Sequence, residues 1–296
     1  MSLWRHFYNR EETASQLTQS MIEWQEKWRW DFVKINPAAC YHVLDWNAEY
    51  RFFDDESREP ELVRTAVDSA DDIEKIQVLN PKKGHLNDQL QVIFNLREHF
   101  GPDLPIVETV FSPMETAHRL MHGREDLQML RKKAPEAFHE LLQSITQTFL
   151  LFADACMNAG ADGLFFATKW ASTDWMTWAE YEEFGKPYDL QILNAMSARE
   201  AMLMLHVCGE RTHLLKMLDY PVDIFSYDFF ADGAPSPHQV AGQTGKFILG
   251  GISPEKMESG VDGVIEDCRA SVKFPDGWQA LRAFFPTESM TTRSSN

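Results

Sequence analysis

Short apolar runs alternate along the chain with longer segments whose apolar residues recur every three or four positions, the pattern of strands that feed into amphipathic helices. The runs fall at 2–7, 32–35, 75–78, 106–111, 163–167, 202–206, 224–227 and 247–250, and helical periodicity covers 11–28, 86–100, 135–158, 181–201 and 254–270. In the segment 135–158, Leu141, Ile145, Phe149, Phe152 and Cys156 form one stripe, read as core packing rather than as a cofactor surface. Ala159-Gly160-Ala161-Asp162-Gly163 then supplies the small residues that stop this helix and turn the chain into the next run. The alternation predicts an α/β fold with a parallel sheet wrapped by helices, and eight strands predict a closed (β/α)8 TIM barrel.

A chain of 296 residues can build such a barrel as one domain. That domain is expected over residues 1–286, with a disordered tail rich in Thr, Ser and Asn over 287–296. Charge narrows the partners: 45 acidic against 28 basic residues leave a net −17, which repels phosphate backbones and anionic membrane surfaces. Nucleic acid and membrane are therefore not expected as partners. No apolar run reaches the roughly 18 residues of a membrane span, and the first residues lack the basic-then-apolar layout of a secretion signal. A cytoplasmic chain is expected. Cys40, Cys156, Cys208 and Cys268 lie far apart with no CxxC spacing, so thiols are available to a metal rather than to a disulfide framework.

In a barrel the chemistry gathers where strands end and the following loops begin. Trp4-Arg5-His6 closes the first run, Lys34-Ile35-Asn36-Pro37 the second, Phe111-Ser112-Pro113 the fourth and Thr168-Lys169-Trp170 the fifth. His206-Val207-Cys208 closes the sixth, Tyr227-Asp228 the seventh and Gly250-Gly251 the eighth. Any one of these alone reads as a strand-end group reaching solvent. Their convergence on one rim is what points to a site.

The sixth end is the most informative. Side chains at i and i+2 of a strand share a face, so the imidazole of His206 and the thiol of Cys208 would project together. A neutral imidazole and a thiolate suit zinc, and a catalytic zinc needs three protein ligands with one position left open. The bland alternative is a hydrogen-bonded histidine beside a small buried cysteine.

Five stretches together resemble the uroporphyrinogen decarboxylase superfamily: Trp30-Asp31-Phe32-Val33-Lys34-Ile35-Asn36-Pro37, Phe165-Phe166-Ala167-Thr168-Lys169-Trp170, Phe184-Gly185-Lys186-Pro187-Tyr188-Asp189, Leu205-His206-Val207-Cys208-Gly209 and Leu249-Gly250-Gly251-Ile252. The resemblance covers nearly the whole chain and implies a (β/α)8 barrel. It also implies one of two chemistries, since the superfamily holds both porphyrinogen decarboxylases and zinc-dependent methyltransferases that work with corrinoid proteins and coenzyme M. By the same resemblance the chain is short at both ends, with Phe274-Pro275-Asp276-Gly277-Trp278 standing where the last-strand motif belongs, so an incomplete barrel is an expectation.

The decarboxylase branch carries an arginine-rich segment near its N-terminus and an aspartate for the pyrrole NH groups. Neither motif is evident here: Ile35-Asn36-Pro37 occupies the aspartate segment, Arg119 lies near where that branch places a tyrosine, and a late Gly-His-Gly is missing. A substrate with eight carboxylates in an acidic protein demands concentrated arginines, and only Arg5 and Arg119 are obvious. The methyltransferase branch holds zinc with His-x-Cys and a distant cysteine, and His206 and Cys208 match the first two in type and spacing. The third ligand transfers less cleanly: Cys268 sits in a helical segment, and Asp228 or His6 are alternatives.

Three functions stay open at this point. A zinc-thiolate methyltransferase would take its methyl from a corrinoid protein or a methylated small molecule and pass it to a thiol. A cofactor-free decarboxylase of uroporphyrinogen or a related tetrapyrrole would use Arg5, Lys34, Asn36, Arg119 and Lys169. A non-catalytic barrel would bind a tetrapyrrole or a partner protein. Catalytic candidates are thus Arg5, His6, Lys34, Asn36, Lys169 and Asp228, and substrate-binding candidates are Arg119, Trp170, Tyr181, Tyr188, Gly250 and Gly251. The metal candidates are His206, Cys208 and Cys268. Tyr181, Phe184, Pro187 and Tyr188 would flank the rim as an aromatic cluster able to line a pocket, with core or loop packing the favoured alternative; His42 and Asp45 offer an acid–base pair, with a solvent-facing loop the favoured alternative. Trp24, Trp28 and Trp30 form an exterior aromatic patch suited to a protein contact, such as a homodimer.

Overall fold

The computed structural model describes residues 2–253, 256 and 262–266. Its core is a parallel sheet of six strands, β1 (Val33–Lys34), β4 (Ile106–Phe111), β5 (Gly163–Thr168), β6 (Met202–Val207), β7 (Ile224–Ser226) and β8 (Phe247–Leu249), hydrogen-bonded in that order. Between β1 and β4 the chain makes a separate antiparallel hairpin, β2 (Glu49–Arg51) with β3 (Glu61–Arg64). The helices are α1 (Ala14–Trp28), α2 (Gly84–Phe100), α3 (Pro113–Arg119), α4 (Arg124–Lys133), α5 (Pro135–Ala159), α6 (Trp178–Phe184), α7 (Lys186–Ser197) and α8 (Pro237–Thr244). The result is a mixed α/β fold around a curled parallel sheet.

Two faces of this sheet bury different cores. Toward the helices, Ile106, Val110, Leu164, Phe166, Leu203 and Leu205 join α5, whose stripe of Leu141, Ile145, Phe149, Phe152 and Cys156 is fully buried, as its periodicity predicts. Each large apolar side chain so buried contributes about 1.5–3 kcal/mol before entropy is charged against it. On the other face Phe32, Val107, Phe165, Ala167, Met202, Met204 and Ile224 form a smaller cluster of their own, with Trp4, Phe111, Phe247 and Leu249 packed against it. Gly163 is required where β5 meets β6, because a Cβ there would lie 1.9 Å from the carbonyl oxygen of Met202.

The eight-stranded count is corrected to six in this sheet among the described residues. Segment 2–7 has strand-like composition but no ladder, since its backbone is taken by other groups. The Trp24 indole donates to Leu3 O at 2.9 Å, and Phe7 N donates to the Glu11 carboxylate. Segment 75–78 follows a 3-10 helix, Ala70–Lys75, started by a capping box between Ser69 and Asp72, and Ile76 N donates back to Ile73 O at 2.9 Å. Local capping there outcompetes β propensity. The single helix expected over 181–201 is two, divided at Gly185, because Pro187 in the first turn of α7 has no N–H to continue α6. Much of the segment 254–270 and all of 274–278 and 287–296 lie outside the described residues, although 262–266 are helical. No helix of the described residues is long and apolar enough to cross a membrane.

A buried carboxyl between α6 and α7 gives a readable signature. Asp189 is 0% exposed, accepts from the Tyr181 hydroxyl, and is pushed up by burial to about 8. The folded chain therefore holds a proton that the unfolded chain releases near 3.8, so stability is greatest below that lower value and falls as pH rises toward about 8. Asp189→Asn keeps an acceptor for Tyr181 without the charge. It should melt above the parent at about pH 8 and no higher at about pH 4; equal differences at both pH values in thermal unfolding would exclude this origin.

Candidate functional site

Parallel strands put all six carboxyl ends at one edge, and the register sets the side chains in rows. One row runs Phe111, Ala167, His206, Ser226, Leu249 across β4 to β8. His206 thus shares the inner face with Ala167, Phe111 and Leu249. Its ring stacks on Phe165, centroids 5.2 Å apart, and its Nδ1 is hydrogen-bonded to Ser226 Oγ at 3.0 Å. Burial, with a smaller contribution from the Lys34 charge, lowers its pKa to about 4, so the imidazole is neutral near pH 7. Beyond the strand the ladder continues, Cys208 N donating to Thr168 O at 2.9 Å, which carries Cys208 one step outward on the same face.

Cys208 opens to solvent at this edge. The surrounding protein raises its thiol pKa, Glu115 and Asp228 adding to the rise and Lys169 opposing it. Imidazole and thiol therefore occupy the mouth together, the first fixed by a hydroxyl and an aromatic ring, the second accessible. A hydrogen-bonded ring nitrogen with its other nitrogen available is the usual arrangement of a ligating histidine. Among the described residues no group of three His, Cys, Asp or Glu side chains converges as a metal site. Cys268 lies outside the described residues, so the pair supplies two donors of the zinc type.

Beside this pair stands Glu115. Ser112 caps α3, accepting from Glu115 N at 3.2 Å, and Pro113 presets the first turn, which directs the carboxylate of Glu115 inward. There it is 3% exposed and gathers three donors. Arg119 Nε donates to Oε1 at 2.9 Å, Trp170 Nε1 donates to Oε2 at 3.1 Å, and Lys169 Nζ lies 3.3 Å from Oε2. Lys169 also sits 4.5 Å from the centre of the Trp175 ring. One carboxylate thus anchors two cations at the rim.

Deeper inside lies Lys34, in the row of Val107, Gly163 and Met202, two rows below His206. Its Nζ reaches up to Asn36 Oδ1 at 2.5 Å and stands 4.5 Å from the centre of Phe165 and 5.1 Å from that of Trp4. Burial lowers its pKa to about 7, against smaller upward pulls from Glu108 and Glu11.

The remaining candidates scatter. Arg5 is exposed and paired with Glu56 at 2.6 Å. His6 Nδ1 is held by Glu11 at 2.9 Å and its ring stacks on Tyr8. Asp228 accepts from Phe230 N at 2.9 Å in a local turn, and only its field reaches Cys208. Gly250 is tightly packed, since a Cβ would lie 2.6 Å from both Tyr227 O and the Phe229 ring, and Gly251 follows it with φ +111°. Trp170, Tyr181 and Tyr188 are buried, and the two tyrosines belong to the helix layer, Tyr188 bonding His139 at 2.6 Å. His42 is buried with both ring nitrogens unpartnered, and Asp45 accepts from His85 N and Leu86 N at the start of α2 rather than pairing with it. A groove of about 730 Å³ runs between α2 and α5 along Leu90, Phe94 and Leu151, away from these strand ends.

Sequence reasoning missed Glu115 and Ser226. The Ser112-Pro113-x-Glu115 spacing was a readable helix-start signal for the first; Ser226 needed the register. Glu115→Gln should remove about 2 kcal/mol of stability, a value discounted because Arg119 and Lys169 partly reach solvent. Urea unfolding checks this, and an unchanged midpoint would deny Glu115 its anchoring role.

Comparison with known proteins agrees with this architecture. A family model described as uroporphyrinogen decarboxylase (URO-D) matches residues 4–280. The methylcobamide:CoM methyltransferase MtbA of Methanosarcina acetivorans is 25% identical over 165 residues, 56% of this chain and 48% of that one. The uroporphyrinogen decarboxylase of Edwardsiella ictaluri is 24% identical over 197 residues, 63% of this chain and 54% of that one. The chain spans about half the length of the curated relatives it matches. Among solved structures, a methyltransferase from Methanosarcina mazei has a TM-score of 0.72 at 19% identity, covering 86% of this chain and 77% of that one, a likeness of fold.

Proposed function

Within the uroporphyrinogen decarboxylase family, to which the chain belongs, we propose that it is a methyltransferase that activates a thiol at the mouth of the sheet. The observation that carries this reading is the shared face of His206 and Cys208 at the end of β6, with the imidazole neutral and oriented by Ser226. These two residues would hold zinc, with Cys268 as candidate third ligand. Zinc bound there supplies an open position at which a thiol is held as its thiolate near neutral pH.

The chain's own residues do the rest. Ser226 accepts from His206 Nδ1 in the tautomer that leaves Nε2 free, and Phe165 fixes the ring plane. Phe111 and Leu249 continue the same row as apolar walls that limit water beside the thiol. Lys169, held by Glu115, partly offsets the rise in the Cys208 thiol pKa that burial and Glu115 impose. The methyl donor on this reading is a methylated corrinoid, on a protein or free, and the acceptor a small thiol, as the name of the MtbA relative describes for that protein.

Decarboxylation of a polycarboxylated tetrapyrrole is served less well. Arg119 and Lys169 share the carboxylate of Glu115, and Arg5 is paired with Glu56, so few cations remain to meet substrate carboxylates. Metal analysis of freshly purified protein tests the proposal. About one zinc per chain is expected, with loss of more than about tenfold in metal affinity for His206→Ala and Cys208→Ala and about tenfold for Ser226→Ala. Methyl transfer from methylcobalamin to a thiol should follow the metal content. Metal-free protein that releases carbon dioxide from uroporphyrinogen would overturn it.

A further inference from the structure

Lys34 is an amine enclosed inside the barrel-like face of the sheet without a counter-ion. It is 6% exposed, and among the described residues no carboxylate comes within ion-pair distance of its Nζ. Its hydrogen-bond partner, Asn36 Oδ1, accepts a proton's hydrogen bond and carries no charge. The carboxyls whose fields reach it face elsewhere. Glu11 is held by His6 and Phe7 N, while Glu108 faces the helix layer with neither oxygen hydrogen-bonded, and burial raises its pKa well above the usual range. His206, the nearest other titratable ring on this face, is neutral.

Two forces compete at such an amine. The faces of Trp4 and Phe165, at 5.1 and 4.5 Å, favour the ammonium. Removal from water disfavours it and is the larger effect, lowering the pKa to about 7. A lysine enclosed in this way is a nucleophile rather than a charge, and an apolar enclosure protects an imine from hydrolysis.

We propose that Lys34 is an imine-forming lysine that captures a short aldehyde or ketone entering the mouth of the sheet. The Nζ lone pair forms a bond to the carbonyl carbon, the C=O π pair moves to oxygen, and the ammonium proton passes to that oxygen. The carbinolamine then takes up one proton at its hydroxyl and loses water, and the resulting iminium gives that proton back, so that amine and carbonyl become imine and one water. Asn36 holds the amine toward the face shared by Phe165 and His206, which is the direction from which a ligand at the mouth arrives. This capture is independent of any metal at His206 and Cys208 and goes beyond methyl transfer.

Reductive trapping tests it on the intact chain. The protein is treated at neutral pH with propionaldehyde and cyanoborohydride and then mapped by peptide mass spectrometry. The propyl adduct should appear at Lys34 at least about tenfold faster than at Lys82 and Lys83, which are exposed. Prior chelation should leave the adduct in place, so a failed zinc site and an unreactive amine are read separately. Lys34→Arg, checked for fold by circular dichroism, should lose this adduct alone. Labelling that follows solvent exposure and omits Lys34 overturns the proposal.

Discussion

Everything at the candidate site depends on the parallel register of β4 to β8. Because each pair is aligned residue for residue, five side chains from five strands fall in one row, and His206 meets Ser226 without any loop having to place it. The close approach of β5 to β6 that maintains this alignment requires the missing Cβ of Gly163, since any side chain there would push the Met202 carbonyl away. A shift by one residue would turn His206 toward α5 and α7 and bring a leucine or valine to the inner face, since side-chain direction alternates. The site is therefore a property of the sheet rather than of the loops above it.

Legibility in the sequence followed the same division. The six strands of the sheet are short, apolar and bounded by helix periodicity, so burial on both faces made them readable as runs. The runs at 2–7 and 75–78 have similar composition but spend their backbone groups on Trp24, Glu11 and a capped 3-10 turn, which composition does not reveal. The hairpin of β2 and β3 buries little more than Tyr50 and Leu62 in part, and three or four residues per strand with one half-buried apolar side chain each are too short an alternation to detect. His206 and Cys208 were legible because their spacing acts within one strand. Ser226 and Glu115 were not, because each earns its place through a contact across the fold, with His206 twenty positions away or with Trp170 fifty-five positions away. Tyr181 and Tyr188 lie close in sequence to a recognised motif, yet they are buried in the helix layer, as the core-packing alternative expects.

Charge is organised as economically as the apolar core. The chain is strongly acidic, yet Lys169 and Arg119 border its mouth and Lys34 lies deeper inside. The two outer cations are tied to one buried carboxylate, so they act as fixed dipoles rather than as free ligands for anions. The inner one is left without a carboxylate and loses its charge near neutrality as a consequence of burial. The Phe165 ring is in contact with both the amine and the imidazole, and burial lowers the pKa of each, with the Lys34 charge adding to the fall at His206.

The opposite edge of the sheet shows what polar groups do when they are purely structural. Arg97 donates to Gly160 O at 2.9 Å, Gly101 O at 2.7 Å and Leu104 O at 3.0 Å, and its Nη2 meets Asp162 Oδ2 at 2.5 Å. Asp162 in turn accepts from Ile106 N, and Asp223 accepts from Leu203 N, so the starts of β4 and β6 are closed by carboxylates. Every donor there terminates on a backbone group or a partner charge, which satisfies helix ends that would otherwise be costly to bury. At the carboxyl edge the pattern inverts: Cys208 is open and His206 keeps one nitrogen available, while Lys34 below them has no ion-pair partner among the described residues. Unused bonding capacity at one edge and saturation at the other is the physical division that lets a parallel sheet hold its shape from below while binding from above.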